Sequence, residues 1–196
     1  MRKLIKYLIL ACMLLPTQVA AGYNLFSVSV GIGNSKFQLN QPGIVTSYGL
    51  SGSNEFNDSA TAFSLYGAMQ LDEYLTLEAD LLIAGDVTVT EGGQTFKLFD
   101  VSSLAITLAF GRQVGERSRV FARMGAHFWD ISESSGDLNT INNAVDLTYG
   151  FGVDVNLYGD RSRQLRIQWN HYEYDDVFIT DSDTLTVNLL FLFGGE

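Results

Sequence analysis

Two histidines, His127 and His171, are the side chains of this 196-residue chain whose ordinary pKa lies nearest neutrality. A catalytic role for either would need a nucleophile or a second base within hydrogen-bond reach. His171 is followed by Tyr172, Glu173 and an acidic stretch, with no serine close by and no His-x-Ser spacing. His127 stands two residues before Trp129 in an apolar neighbourhood. Neither setting carries a hydrolytic signature, so no catalytic residue is expected. The single cysteine, Cys12, excludes an internal disulfide framework and a CxxC metal site. Asp181-Ser182-Asp183 is too short for a calcium loop. No metal set and no cofactor are expected.

Charge is the second resource. The chain has 12 Lys+Arg and 22 Asp+Glu, a formal net charge of −10. That balance argues against nucleic acid, whose phosphates require Lys and Arg. Five charged residues could form a cluster if the backbone brought them to one surface: Glu78, Asp80, Arg123, Asp154 and Arg166. The elements that must position them are legible in the hydropathy pattern.

That pattern has a period of two. Val145, Leu147, Tyr149, Phe151, Val153, Val155 and Leu157 alternate with Asp146, Thr148, Gly150, Gly152, Asp154 and Asn156. A β-strand sends odd and even side chains to opposite faces. The same alternation runs through Phe26–Gly33, Phe63–Leu71, Leu75–Ile83, Ser103–Phe110, Val120–Phe128, Leu165–Asn170 and Thr184–Phe193, giving eight candidate strands. Short connections fall at Asp72-Glu73, Gly115–Ser118 and Gly159–Ser162. Longer ones fall at Gln38–Ser59, Asp86–Gln94, Ser132–Asn143 and Glu173–Asp183. Short links at one end and long links at the other predict an all-β fold, an eight-stranded antiparallel up-and-down barrel. On this parity the five charged residues share its inner face.

The first 21 residues read as an address. Arg2, Lys3 and Lys6 precede the apolar run Tyr7–Leu15, and Val19-Ala20-Ala21 offers a cleavage site. This is a signal peptide, too short in its apolar run to span a bilayer. Ile9-Leu10-Ala11-Cys12 is a weaker, lipoprotein-like alternative. Cleavage near Ala21 leaves residues 22–196 as one barrel domain, net −13 and without cysteine.

Alternation alone does not say which face is inside. Three features favour an outward apolar face in lipid. The polar face holds Gly, Ser, Thr, Asp, Arg and Asn in nearly every strand, suited to a narrow interior of eight strands. The apolar face runs for four to seven alternate positions, close to a membrane crossing. Aromatics recur near strand ends, among them Tyr23, Phe37, Phe99, Trp129, Tyr158, Tyr172, Phe191 and Phe193, as in interfacial girdles.

Two segments carry a resemblance. Val120-Phe121-Ala122-Arg123-Met124-Gly125-Ala126-His127-Phe128-Trp129 resembles the Tyr-x-Arg-x-Gly-Gly-x-x-Trp strand of the OmpA-like transmembrane domain family, with Ala126 at the second glycine. Leu165–Trp169 and Leu185–Phe193 resemble its last two strands. The resemblance implies a small eight-stranded outer-membrane β-barrel with periplasmic turns and extracellular loops. It implies an interior arginine near the start of the penultimate strand, where this chain has Gln164 and then Arg166. It also implies that Phe191 and Phe193 supply the aromatic signal read by the outer-membrane insertion machinery.

The expected location is therefore the cell outer membrane. The expected partners are the lipid bilayer, lipopolysaccharide and the insertion machinery, with a host or surface ligand for the loops, and the expected state is a monomer. Glu55, Asp58, Asp86, Glu91, Glu133, Asp137, Glu173, Asp175, Asp176, Asp181 and Asp183 fall in or beside the long links. Arg112, Arg117, Arg119, Arg161 and Arg163 gather near the short turns, where anionic headgroups lie. The expected role is structural, or surface contact and adhesion through the acidic loops. The alternatives are a narrow porin-like channel gated by the interior charges and, further off, a lipid A-modifying enzyme.

Overall fold

The computed structural model describes residues 25–50, 54–133, 143–157 and 160–194. The expected signal peptide at 1–21, Tyr23, Asp137 and Tyr158 lie outside the described residues.

The elements are β1 (Phe26–Leu39), α1 (Gln41–Tyr48), β2 (Asn54–Asn57), β3 (Ser59–Gln70), β4 (Leu75–Glu91), β5 (Gln94–Val114), β6 (Ser118–Glu133), β7 (Asn143–Leu157), β8 (Asp160–Glu173) and β9 (Ile179–Phe193). Each strand from β3 to β8 pairs antiparallel with the next. β1 pairs with both β3 and β9, so the sheet closes into a ring. The short β2 lies on β4 and continues the line of β3 beyond Asp58, so the nine strands form eight staves. Closure pairs every edge of the ring, as lipid requires. Among the described residues no helix is long and apolar enough to cross a membrane; the crossing is made by strands.

The wall is inside out relative to a soluble protein. Met124 is 62% exposed while its neighbour Arg123 is 3% exposed. Val30, Phe63, Phe110, Phe151 and Leu185 also face outward, while Ser29, Glu78, Asp80, Asp154 and Thr186 are buried within. The ring is narrow enough that strand-to-strand contacts need glycine. At Gly125 a Cβ would lie 2.1 Å from the carbonyl oxygen of Ile106 on the neighbouring β5.

Three expectations are corrected. The link at 86–94 is strand for most of its length: β4 and β5 run on to a two-residue turn at Gly92-Gly93, whose φ angles of 59° and 81° suit glycine. The link after Glu173 is likewise shortened, since β9 already begins at Ile179. Phe37, Phe99, Trp129 and Tyr172 are not interfacial: all four point inward and are at most 2% exposed.

Those four belong to an apolar cluster that fills the loop half of the barrel, with Val87, Leu98 and Phe178 among its members. α1 covers it. Pro42 opens this helix and Gly49, at φ 63°, ends it. Ile44 on its inner side is fully buried. Asn40 fixes the entry of the helix, its backbone N–H donating to the Phe178 carbonyl at 2.8 Å and its side-chain amide to the Val177 carbonyl at 2.9 Å. Tyr48 donates to the Leu98 carbonyl at 3.1 Å and packs its ring 5.9 Å from that of Phe178.

Candidate functional site

The interior has two tiers, and the tier on the short-turn side is charged. β4 carries Glu78 and Asp80, β6 carries Arg123, β7 carries Asp154 and β8 carries Arg166. Side chains that face inward from opposite walls of so narrow a ring meet near its axis. Arg166 grips Asp154 with two hydrogen bonds, Nε to Oδ1 at 2.7 Å and Nη2 to Oδ2 at 2.9 Å. Its Nη1 reaches Glu78 Oε1 at 3.1 Å. Arg123 lies between Glu78 Oε2 at 3.3 Å and Asp80 Oδ2 at 3.2 Å. The five charges named from the sequence thus stand in one continuous set of contacts.

Neutral side chains complete it. Tyr66 donates to Glu78 at 2.7 Å, Ser64 to Asp80 at 2.9 Å, and Gln168 to Asp80 at 3.2 Å. The Arg166 guanidinium lies against the Tyr66 and Phe121 rings, 4.5 and 4.3 Å from their centroids. Buried charges need this density of partners, since each ion costs several kcal/mol to dehydrate. Arg123 Nη2 finds no hydrogen-bond partner among the described residues.

Sequence reasoning left out a sixth charge. Its closeness to a turn groups Arg119 with the arginines expected to meet headgroups, but it shares the inward parity of Phe121 and Arg123. Its guanidinium crosses above Gly111, where any Cβ would come within 2.7 Å of it. It donates to Thr76 at 3.1 Å and lies 3.6 Å from Asp154. Three carboxylates then face three guanidinium groups. Above Arg119 the barrel opens toward the short turns as a vestibule of about 200 Å³, floored by Tyr66, Asp154 and Arg166.

The two histidines are far from this set. His127 is buried in the loop tier, its Nδ1 2.9 Å from the Ser103 hydroxyl and its Nε2 2.7 Å from the Glu173 carbonyl. The Tyr172 and Tyr174 rings meet it edge-on at 5.1 and 5.2 Å. His171 faces outward, 2.9 Å from the Asp183 carboxylate and beside the Tyr149 ring. Among the described residues no three His, Cys, Asp or Glu side chains are arranged to hold a metal ion.

A closed ring with an outward apolar belt and an inward charge cluster has one natural setting, a bilayer entered by strands. The sequence model of the outer membrane protein beta-barrel domain matches residues 7–193. The chain belongs to this family. Among curated protein sequences none matches significantly. Solved members of this barrel class superpose over most of the chain. The attachment invasion locus protein Ail of Yersinia pestis gives a TM-score of 0.56 at 14% identity, covering 88% of this chain and 100% of its own. Neisserial surface protein A gives 0.63 at 11% identity, covering 86% and 97%. The N-terminal barrel of Pseudomonas aeruginosa OprF gives 0.57 at 10% identity, covering 88% and 99%. At such identities the shared property is the fold. The protein is a small outer-membrane β-barrel, and the short-turn end of such a barrel is its periplasmic end.

Phe191 and Phe193 lie on the outward face of β9 near its end, opposite Val28 and Phe26 of β1. The acidic residues of the loop end have few basic neighbours. Among the described residues Lys97 is one such neighbour, paired with Asp86 and, at 2.7 Å, with Asp100. These two carboxylates, Asp100 first, hold its ammonium pKa above the ordinary lysine value.

Proposed function

We propose that this barrel works as a non-conducting envelope protein that makes surface contacts through its acidic loop end. The observation that carries this reading is the filled interior, with a charge network in one tier and a packed apolar cluster under α1 in the other. Among the described residues both tiers are filled along the axis, which supports the loop end as the working surface. There α1 and the residues 174–178, Asp175 and Asp176 among them, form a packed cap, and Glu55 on β2 and Asp181 on β9 lie at the same end. The contacts proposed are lipopolysaccharide at the rim, through divalent cations bridging phosphates and loop carboxylates, and a host or abiotic surface beyond it.

The test has two arms. The purified barrel in a planar bilayer should give no unitary conductance above background. Cells in which residues 40–50 are replaced by a short Gly-Ser turn should keep the barrel in the outer membrane and lose adhesion or serum survival. Discrete channels in the first arm favour the narrow-channel alternative. Unchanged adhesion and survival in the second leave a purely structural role.

A further inference from the structure

The periplasmic vestibule has two unlike walls. On the β9–β1 side it is lined by Leu190, Leu192 and Leu25. These leucines break a pattern: the inward positions of β9 are Ser182, Thr184, Thr186 and Asn188 through the rest of the wall, all buried in hydrogen-bonding surroundings. At the mouth the inward face becomes aliphatic, although it meets an open cavity, and Leu192 and Leu25 are only half-buried there. The rest of the lining is polar: Arg117 and Arg119 bring positive charge to it, Glu73 brings one carboxylate, and Gln70, Gln113 and Asn156 are neutral.

The state of those arginines decides what the cavity can take. Asp154 in the floor is already held by two hydrogen bonds from Arg166, so its charge is largely satisfied before Arg119 approaches. Arg119 stays 3.6 Å from it, beyond hydrogen-bond length, and spends its Nη2 on Thr76 and the Tyr74 carbonyl. Its Nη1 is left with only this long contact to Asp154, and Arg119 and the exposed Arg117 both line the cavity. Two guanidinium groups facing an aliphatic wall suit an anion with a short apolar tail, because a guanidinium fork matches a carboxylate and the leucines give no partner to a polar chain. Some 200 Å³ holds a group of roughly seven to ten heavy atoms, at about 20–30 Å³ each in close packing.

We propose that the vestibule is a binding site for a carboxylate carried on a short aliphatic group and presented from the periplasm. The carboxylate meets Arg119 and Arg117, and the aliphatic part lies against Leu25, Leu190 and Leu192. Two sources share this chemistry: a short-chain fatty acid, and the C-terminal carboxylate of a peptide ending in an aliphatic residue.

The test uses the refolded full barrel in nanodiscs, with NMR observation of leucine methyl groups and arginine Nε–H. The probes are hexanoate, N-acetyl-alanyl-leucine with a free carboxylate, and hexanol. Hexanoate or the dipeptide should produce saturable shifts at Leu25, Leu192 and Arg119, and the stronger of the two names the source. Hexanol, with the same chain and no carboxylate, should bind at least tenfold more weakly than hexanoate. Arg117→Gln, at an exposed position, and Leu192→Ser, which leaves the charges untouched, should each weaken the better probe at least fivefold. Both variants should retain the heat-modifiable gel mobility of a folded barrel. Three results would each overturn the proposal: no saturable shift at the mouth with either carboxylate, equal binding of hexanol and hexanoate, or unchanged affinity in both folded variants.

Discussion

Arg166 on β8 and Glu78 on β4 meet across the barrel axis, with Nη1 3.1 Å from Oε1 although they stand 88 positions apart in the chain. The contact joins opposite walls, so it forms only when the ring has closed. Glu78 also holds Arg123, so it is the shared anion of two buried guanidinium groups. Glu78→Ala leaves both with less counter-charge than their burial demands. The expected loss is about 3–5 kcal/mol of unfolding free energy. Urea titration of the barrel in lipid vesicles measures it, and a loss near zero would mean that solvent, rather than Glu78, balances these cations.

Much of this was legible in the sequence because strand parity is a property of the backbone. Parity puts Glu78 with Asp80, and Arg123 with Arg119, on the inner face of their strands. Height along the barrel is a different matter. It depends on the stagger of eight strands, and no single strand encodes it. Phe37, Phe99, Trp129 and Tyr172 all have inward parity, but their position near strand ends made them look like girdle aromatics. Arg119 is a like case, because it stands close to a turn while its parity is inward. α1 was hidden because Gln41-Pro42-Gly43 reads as loop, and the helix owes its place to Ile44 docking on a core built by distant strands. The vestibule was beyond reach, as it is a property of the ring.

His127 makes a second prediction. With Ser103 it forms a pair that resembles the start of a hydrolytic relay, but both residues are fully buried beneath Tyr172 and Tyr174. The role proposed is to tie β6 to the Glu173 carbonyl. His127→Ala should cost about 1–3 kcal/mol through the orphaned carbonyl. The lipid A mass spectrum of cells should be the same with the wild-type protein, with this variant and with no barrel at all. A lipid A species present only with the wild type would establish an enzyme.

Gly43 tests the cap. A Cβ there would stand 2.8 Å from the Val177 carbonyl, which is backbone and has little room to move. Gly43→Val should lift α1 from the residues 174–178 while leaving the ring intact. Limited proteolysis should then cut within 40–50 at a rate several-fold above wild type, with unchanged heat-modifiable mobility. Equal cleavage rates would show that the helix is held by Ile44 and Tyr48 alone.

Alkali should loosen the loop end before the wall. Tyr174 is a buried member of the cap, its ring 5.5 Å from that of Trp129, and burial raises its phenol pKa above the ordinary value of 10.0. A raised pKa means that the folded state holds the proton more tightly than the unfolded state. The stability this gives is complete below pH 10 and is lost progressively as pH climbs toward the folded pKa. Lys97 acts in the same direction, because Asp100 and Asp86 raise its pKa above 10.5, so the hairpin tip also weakens as pH rises through that region. Trp129 fluorescence followed from pH 8 to pH 12 should change above about pH 10, the unfolded tyrosine value, while far-ultraviolet circular dichroism stays constant. Tyr174→Phe gives up one 3.3 Å contact with Ser182 and removes the titrating group. It should shift the fluorescence change to higher pH. A transition at the same pH in this variant would assign the alkaline loosening to Lys97, and no transition below pH 12 in the wild type would refute it.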